Sequence, residues 1–178
     1  MVSTPEMAAY LHEHYPNLVC NWSTTTDFGS PYDFEGQIEK INELSRDRVV
    51  VLPYTLNEQL ELLKKLQHPE NIEVLVDEKC MSNCPRRREH EILSCLKNLC
   101  ENHLNQEICL MRPLTVKQLK VTRIHRKDLQ KYADLGINLF KLEGRSNGIE
   151  PLLVSYLHYM VKDEFKNTCF ERIKKIAA

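Results

Sequence analysis

Short apolar runs alternate with longer amphipathic stretches along this chain, and this alternation constrains its fold more than any other feature. The runs that have the length of β-strands lie at residues 18–22, 48–52, 72–76, 118–124 and 138–142. No tight hairpin signal connects them, so antiparallel pairing of consecutive strands is not indicated. Strands that alternate with helices form parallel βαβ units. The sequence therefore predicts an α/β fold built from parallel βα repeats.

Helices are predicted around these runs from apolar residues spaced three and four apart. Ser3 begins a capping box that places Pro5 in the first turn of a helix. Asn57 is predicted to cap a later helix, and Gly136 to end another in a left-handed conformation. The predicted helices cover residues 5–15, 35–44, 57–68, 85–102, 127–135, 149–161 and 163–176.

The chain length limits how many of these repeats can form. A chain of 178 residues fits one domain, spanning residues 1–178, with enough length to bury a sizeable core. A complete eight-stranded α/β barrel usually needs about 250 residues. About five parallel strands therefore predict an incomplete TIM-like barrel, with an open parallel sheet as the alternative. Either sheet has unpaired edges, which helices, a partner protein or a second copy must cover.

Composition excludes several classes of protein. No apolar run approaches the ~18 residues of a membrane-spanning helix, and the start of the chain lacks the apolar region of a signal peptide. The net charge of −1 argues against strong non-specific binding to nucleic acid. The seven cysteines are too sparse for a disulfide scaffold, and their number is odd. We therefore expect a cytoplasmic protein whose cysteines are thiols, metal ligands or both.

Two cysteines stand where the third predicted strand gives way to a helix. Cys80 and Cys84 lie in a polar turn at the carboxyl edge of the predicted sheet, where ligands of parallel α/β proteins usually bind. The helix start at Pro85 favours the thiolate form of Cys84, and thiolates bind zinc or iron–sulfur clusters. Cys109 is a candidate third ligand, and Cys100 is a candidate fourth. A redox disulfide and free thiols are the alternatives.

A second polar segment follows the last predicted strand. Alternation along that strand places Phe140 and Leu142 on one face. Lys141 and Glu143 then lie on the other face, and Arg145 stands just past the strand end. In one interpretation, Lys141 and Glu143 pair with charges on neighbouring strands. In the other, Glu143 and Arg145 form a site for an anion or a substrate.

Three sequence blocks resemble a known protein family in their order and spacing. The blocks are Cys80-x3-Cys84-Pro85-x-Arg87-x2-His90, then Cys109, then Ile124-x3-Asp128-Leu129-x2-Tyr132-x3-Gly136-Ile137-x2-Phe140-Lys141-Leu142-Glu143-Gly144-Arg145. They look like the collagenase-like U-32 peptidase family, specifically between residues 72 and 146 and more loosely over residues 1–71. Members of that family have an α/β-barrel domain and cysteine ligands for an iron–sulfur cluster. Characterised relatives act in the hydroxylation of RNA bases or of quinone precursors.

The resemblance implies a site and a function. A 4Fe-4S cluster, or alternatively zinc, would lie on Cys80, Cys84 and Cys109, with Cys100 as the candidate fourth ligand. Glu143 and Arg145 would be the catalytic residues at the barrel mouth. The chain would belong to a system that hydroxylates or otherwise modifies RNA or a small molecule, and a partner protein or a second copy would close the incomplete barrel.

Two other interpretations belong to different classes of protein. In the first, the missing strands and exposed sheet edges of a partial barrel favour a chain that has lost its chemistry. It would then be a non-catalytic interaction protein, such as a regulator or inhibitor encoded by a phage or mobile element. The other interpretation is a structural zinc site in an otherwise inert domain.

Overall fold

Three parallel strands form the sheet in the computed structural model, which describes residues 1–30, 32–78, 89, 123–142 and 149–177. β1 is Val50–Val51, β2 is Ile72–Leu75 and β3 is Leu139–Lys141, in the spatial order β1-β2-β3. Val50 lies opposite Ile72, and Val74 lies opposite Phe140. β-Branched residues dominate β1 and β2, as expected for strands that are buried in a parallel sheet.

One further segment extends the sheet by single bridges. Trp22 pairs in parallel with Val50 on the outer side of β1, and Val2 pairs in parallel with Trp22. The Trp22 N–H donates to Val49 O at 2.8 Å, and Trp22 O accepts from the Val51 N–H at 3.0 Å. Because these segments run in the same direction as the three strands, their carboxyl ends meet at one edge of the sheet.

The prediction of an incomplete TIM-like barrel with about five strands is wrong, because the described residues form an open sheet of three strands. The run at residues 18–22 contributes only the two single bridges of Trp22, to Val50 and to Val2. On the outer side, the chain enters a helix at Pro5, three residues after Val2. Residues 118–122 lie outside the described residues, and Ile124 makes one backbone hydrogen bond to Val76, beyond the end of β2, without forming a strand.

Helices precede and follow the strands along the chain. The α-helices of the described ranges are α1 (Pro5–His14), α2 (Phe34–Leu44), α3 (Leu60–Leu63), α4 (Leu129–Ala133), α5 (Ile149–Met160) and α6 (Lys166–Ala177). Short 3₁₀ turns lie at Tyr54–Leu56, Pro69–Asn71, Arg126–Asp128 and Asp163–Phe165. Of the helix predicted over residues 85–102, the structure describes residue 89 alone, which is helical. In the parts that are described, no helix is both long enough and apolar enough to cross a bilayer.

The core is built around the central strand. Ile72, Val74 and the adjoining Val76 are buried, and Ile41 of α2 and Ile137 before β3 are fully buried in the same cluster. Removing a side chain of this size from water contributes roughly 1.5–3 kcal/mol of stability. Apolar packing therefore holds β2 between its two neighbours.

Two helix ends test the capping predictions. Thr4, rather than Ser3, caps α1, because its side chain accepts a hydrogen bond from the Met7 N–H at 3.2 Å. This arrangement puts Pro5 at the first helical position, which proline prefers. Ser3 instead shares a hydrogen bond of 2.8 Å with the Thr25 hydroxyl. Gly136 has a φ of +87° after α4, which confirms the predicted left-handed end of this helix.

Asn57 is a core residue, so the prediction that it caps a helix is wrong. Its side chain is fully buried and donates from Nδ2 to Leu75 O at 3.0 Å. The Tyr132 hydroxyl donates to the backbone oxygen of Asn57. α3 begins after Gln59, which makes no side-chain capping bond. Asn57 therefore connects the segment after β1 to the end of β2 and to α4.

Candidate functional site

The chain leaves the sheet at adjacent positions after β2 and β3. Val76, directly after β2, donates its N–H to Lys141 O, the last residue of β3, at 3.0 Å. Because the two strands are parallel, the segments that follow them start from the same carboxyl edge. Ligands of open α/β sheets usually bind outside this edge. It is therefore the candidate functional site.

The chain also returns to this edge. The Ile124 N–H donates to Val76 O at 2.8 Å. The Tyr159 hydroxyl of α5 lies 2.8 Å from Val76 O and 2.7 Å from Ile124 O, within hydrogen-bond distance of both. A hydroxyl has one proton, so it is shared between these two carbonyls. Tyr159 therefore fixes two separate parts of the chain at the carboxyl edge.

Arg123 and Asp77 act on Tyr159 in opposite directions. Burial raises the pKa of Tyr159, and the Arg123 guanidinium opposes this rise while the negative charge of Asp77 adds to it. Arg123 Nε donates to the Tyr159 hydroxyl oxygen at 3.4 Å, and its guanidinium carbon lies 5.6 Å from the ring centroid. The hydroxyl therefore stays protonated at neutral pH, so it can donate to the backbone.

Two carboxyl side chains follow β2 immediately. Asp77 and Glu78 are each 2% exposed, although acidic residues are rarely fully buried. They directly precede the segment that carries Cys80. Their position shows that the carboxyl edge is polar, which is typical of a binding site in an otherwise apolar sheet.

A small group of hydroxyl side chains lies at the carboxyl end of the Trp22 segment. Thr25 Oγ1 donates to Ser23 Oγ at 3.0 Å and shares a 2.8 Å hydrogen bond with Ser3 Oγ. Ser23 is buried, and its N–H donates to Val2 O. These bonds connect the three hydroxyl groups to one another.

The structure confirms that Lys141 pairs with a charge on a neighbouring strand, which was one of the two interpretations of this segment. Lys141 Nζ lies 3.7 Å from a carboxylate oxygen of Glu73, on the neighbouring strand β2. Phe140 and Leu142 pack against the core, as alternation along the strand predicts. The position of Lys141 is therefore explained by an ion pair between strands. Glu143 is not described, so its role stays a prediction.

The residues predicted to bind metal or substrate lie outside the described residues. They are Cys80, Cys84, Cys100, Cys109, Glu143 and Arg145. The structure describes the residues that lead to them, Glu78 after β2 and Leu142 after β3. Within the described ranges, no group of three or more histidine, cysteine or acidic side chains is arranged to hold a metal ion.

Sequence reasoning missed the groups that organise this edge. Asp77 and Glu78 carried a usable signal, because they interrupt the apolar run at the end of a strand. Tyr159 carried none, since an aromatic residue in an amphipathic helix is typical of an ordinary core position. Its role depends on contacts 83 residues and 35 residues away in sequence.

In comparisons with known proteins, no family model, no curated protein and no solved structure matches the chain.

The hydroxyl of Tyr159 provides a first test of this site. Tyr159→Phe is expected to lower the free energy of unfolding by about 1–2 kcal/mol, because Val76 O and Ile124 O lose a donor. Urea denaturation measures the difference. Tyr156→Phe is the matched control, because Tyr156 is exposed on the same helix, and it should change stability by less than about 0.5 kcal/mol. Equal effects at the two positions would refute the bridging role.

Proposed function

We propose that this chain binds an iron–sulfur cluster, with zinc as the alternative metal, through Cys80, Cys84 and Cys109 at the carboxyl edge of the sheet. The observation that carries the proposal is the hydrogen bond of Val76 to Lys141 at the ends of β2 and β3. Cys80 follows Val76 by four residues, and Glu143 follows Lys141 by two. Both candidate groups therefore start from one small area of the edge.

The donor set fits such a metal. Three thiolates are soft ligands of the kind that zinc and iron–sulfur clusters select, and Cys100 is the candidate fourth. When bound, a cluster supplies electron transfer or an iron site that polarises a substrate oxygen. The chain's own contribution is to hold the metal at a buried, polar edge beside Asp77 and Glu78.

Glu143 and Arg145 complete the proposed site. Both follow β3 closely, so short stretches of backbone connect them to the hydrogen bond at Lys141. In the proposal they bind the polar or anionic part of a substrate, which is an RNA or a small molecule. The reaction would be a hydroxylation or a related modification, as the resemblance to the U-32 family implies.

The compartment and the partner belong to the same proposal. Cys20 and Cys169 are free thiols in the described residues, which supports a reducing, cytoplasmic compartment. In those residues β3 pairs only with β2, and its Leu139 is 37% exposed. An open strand edge favours pairing with another chain. We therefore place a partner protein or a second copy at this edge.

Cysteine variants of the full chain test the metal site. Cys80→Ser and Cys84→Ser should each abolish visible absorption and reduce bound iron and sulfide by at least about tenfold, because a lost thiolate opens the site. Cys109→Ser should do the same. Cys169→Ser is the matched control, because this free thiol lies in α6 and should leave the metal content unchanged. Unchanged iron in all three variants would refute the assignment.

A non-catalytic interaction protein is the second candidate function, and the observation that favours it is the edge of β3, which has no neighbouring strand among the described residues. In that case the purified chain would hold no metal and would melt at the same temperature as its Cys80→Ser variant. A fall in melting temperature of this variant would instead favour a structural or catalytic metal.

A further inference from the structure

A cleft of about 580 Å³ lies between the 3₁₀ turn Arg126–Asp128 and the junction of α5 with α6. Its lining residues are His125, Arg126, Lys127, His158, Lys162, Asp163, Glu164 and Lys166. The volume is within the range of about 300–1,000 Å³ that small-molecule sites occupy. Basic side chains outnumber acidic ones in this lining, although the whole chain has a net charge of −1.

Among the described residues, two of the four Lys and Arg side chains that line the cleft are bound to other protein groups, and two are not. Arg126 donates to Val161 O at 2.5 Å, and Lys166 pairs with Asp163 at 2.5 Å, so both hold the walls together. Lys127 and Lys162 are exposed, and neither forms an ion pair with a described residue. These two ammonium groups are therefore available to an anionic ligand.

His158 adds a partly buried imidazole ring to the same cleft. Its Nε2 atom is buried and has no hydrogen-bond partner among the described residues. Burial lowers the pKa of His158, and Arg123, Lys166 and His125 lower it further, while Asp163 opposes them. The Tyr159 ring contacts it edge-on at 4.8 Å between centroids. Because the ring lines the cleft, the negative charge of an anion bound there would act on its imidazole.

The cleft also adjoins the carboxyl edge of the sheet. His125 directly follows Ile124, whose N–H is bonded to Val76 O at the end of β2. His158 directly precedes Tyr159, whose hydroxyl lies against the same carbonyl. The two walls are therefore fixed to the sheet at the edge where α/β proteins usually bind ligands.

We propose that this cleft binds a small phosphorylated molecule, whose phosphate groups contact Lys127 and Lys162 and lie beside the imidazole ring of His158. Phosphate fits because it presents several acceptor oxygens to the two ammonium groups. A free small molecule is favoured over RNA, because a chain of net charge −1 lacks the excess of cations on which strand binding depends. The proposal stands on described residues alone, so it does not depend on the metal site.

Calorimetric titration of the full chain with inorganic pyrophosphate tests the proposal. We expect saturable binding at one site, and Lys127→Gln combined with Lys162→Gln should weaken it by at least about tenfold, since contacts to charged groups are lost. Lys64→Gln combined with Lys175→Gln removes the same charge from exposed positions outside the cleft, and should leave the affinity within about twofold. No saturable binding, or equal losses in the two double variants, would overturn the proposal.

Two further measurements separate the outcomes. Histidine NMR signals, assigned with His158→Gln, should show a higher pKa for His158 when pyrophosphate is bound, because the anion stabilises the imidazolium. An unchanged pKa would show that the anion binds elsewhere. A twelve-residue oligouridylate should bind more weakly than pyrophosphate at equal ionic strength. If it binds more tightly and the cleft variant abolishes this binding, the ligand is RNA and the proposed class of ligand is wrong.

Discussion

Asn57→Asp is expected to lower the free energy of unfolding by about 3–5 kcal/mol at pH 7, the range for a buried charge without a partner. Asn57 is fully buried, and its Nδ2 group donates to Leu75 O. A carboxylate has no proton to donate there, so two oxygen atoms would face each other in the core. Urea denaturation, compared with the unchanged chain at the same pH, measures the loss.

The loss from Asn57→Asp should depend on pH. Burial raises the pKa of the new carboxyl group above the value of about 3.9 for an exposed aspartate. The folded variant then holds its proton at pH values where the unfolded variant has released it. Its stability should therefore fall as pH rises above about 4, and the electrostatic part of the loss should be absent below that value.

Asn138→Asp is the matched control for this prediction. The exposed Asn138 also donates from Nδ2 to a backbone oxygen, Gly136 O, at 3.1 Å. Because water solvates a carboxylate there, its substitution should change stability by less than about 0.5 kcal/mol. Similar losses at positions 57 and 138 would mean that Asn57 does not join the chain after β1 to the end of β2.

Ile72→Ala is the second substitution with a large expected effect, about 3–5 kcal/mol. Ile72 is fully buried at the start of β2, the central strand, and it lies opposite Val50 of β1. Truncation removes apolar contacts and leaves a cavity that neighbours on both sides cannot easily fill. The midpoint and slope of guanidinium unfolding give the change in stability.

Leu139→Ala is the comparison for Ile72→Ala, because it truncates a residue of the outer strand of the sheet that the described residues form. Leu139 is 37% exposed, so we expect a loss of about 1 kcal/mol or less. The difference between the two positions tests how deeply the two side chains are buried. If Leu139→Ala is as costly as Ile72→Ala, Leu139 is buried as deeply as Ile72 and its exposed position on β3 is wrong.

The sequence predicted the positions of individual strands better than the number of strands that join in the sheet. The apolar runs at residues 48–52, 72–76 and 138–142 contain β1, β2 and β3, because each has neighbours that satisfy its backbone. The run at residues 18–22 is also largely apolar, but only Trp22 pairs with neighbouring segments, through one bridge to Val50 and one to Val2. Composition shows that a run can be a strand, whereas the number of strands depends on which neighbours the chain can supply.

Side-chain roles were predictable where they are local. Gly136 ends α4 in the expected conformation, because the requirement for a left-handed residue is set by the next few residues. Asn57 has the residue type of a helix cap, but its amide bonds to Leu75, 18 residues away. Tyr159 is likewise defined by distant carbonyls. Bonds of this kind follow from the packing of whole elements, so they leave no local pattern in the sequence.

The content of iron, zinc and acid-labile sulfide in the anaerobically purified full chain tests the central claim most directly. We predict about four iron and four sulfide per chain, the stoichiometry of a 4Fe-4S cluster held by cysteine thiolates. About one zinc per chain without sulfide would retain a metal site but contradict the cluster. A folded chain with neither metal, whose cysteines all react as free thiols, would contradict the claim that the carboxyl edge of the sheet is a metal centre.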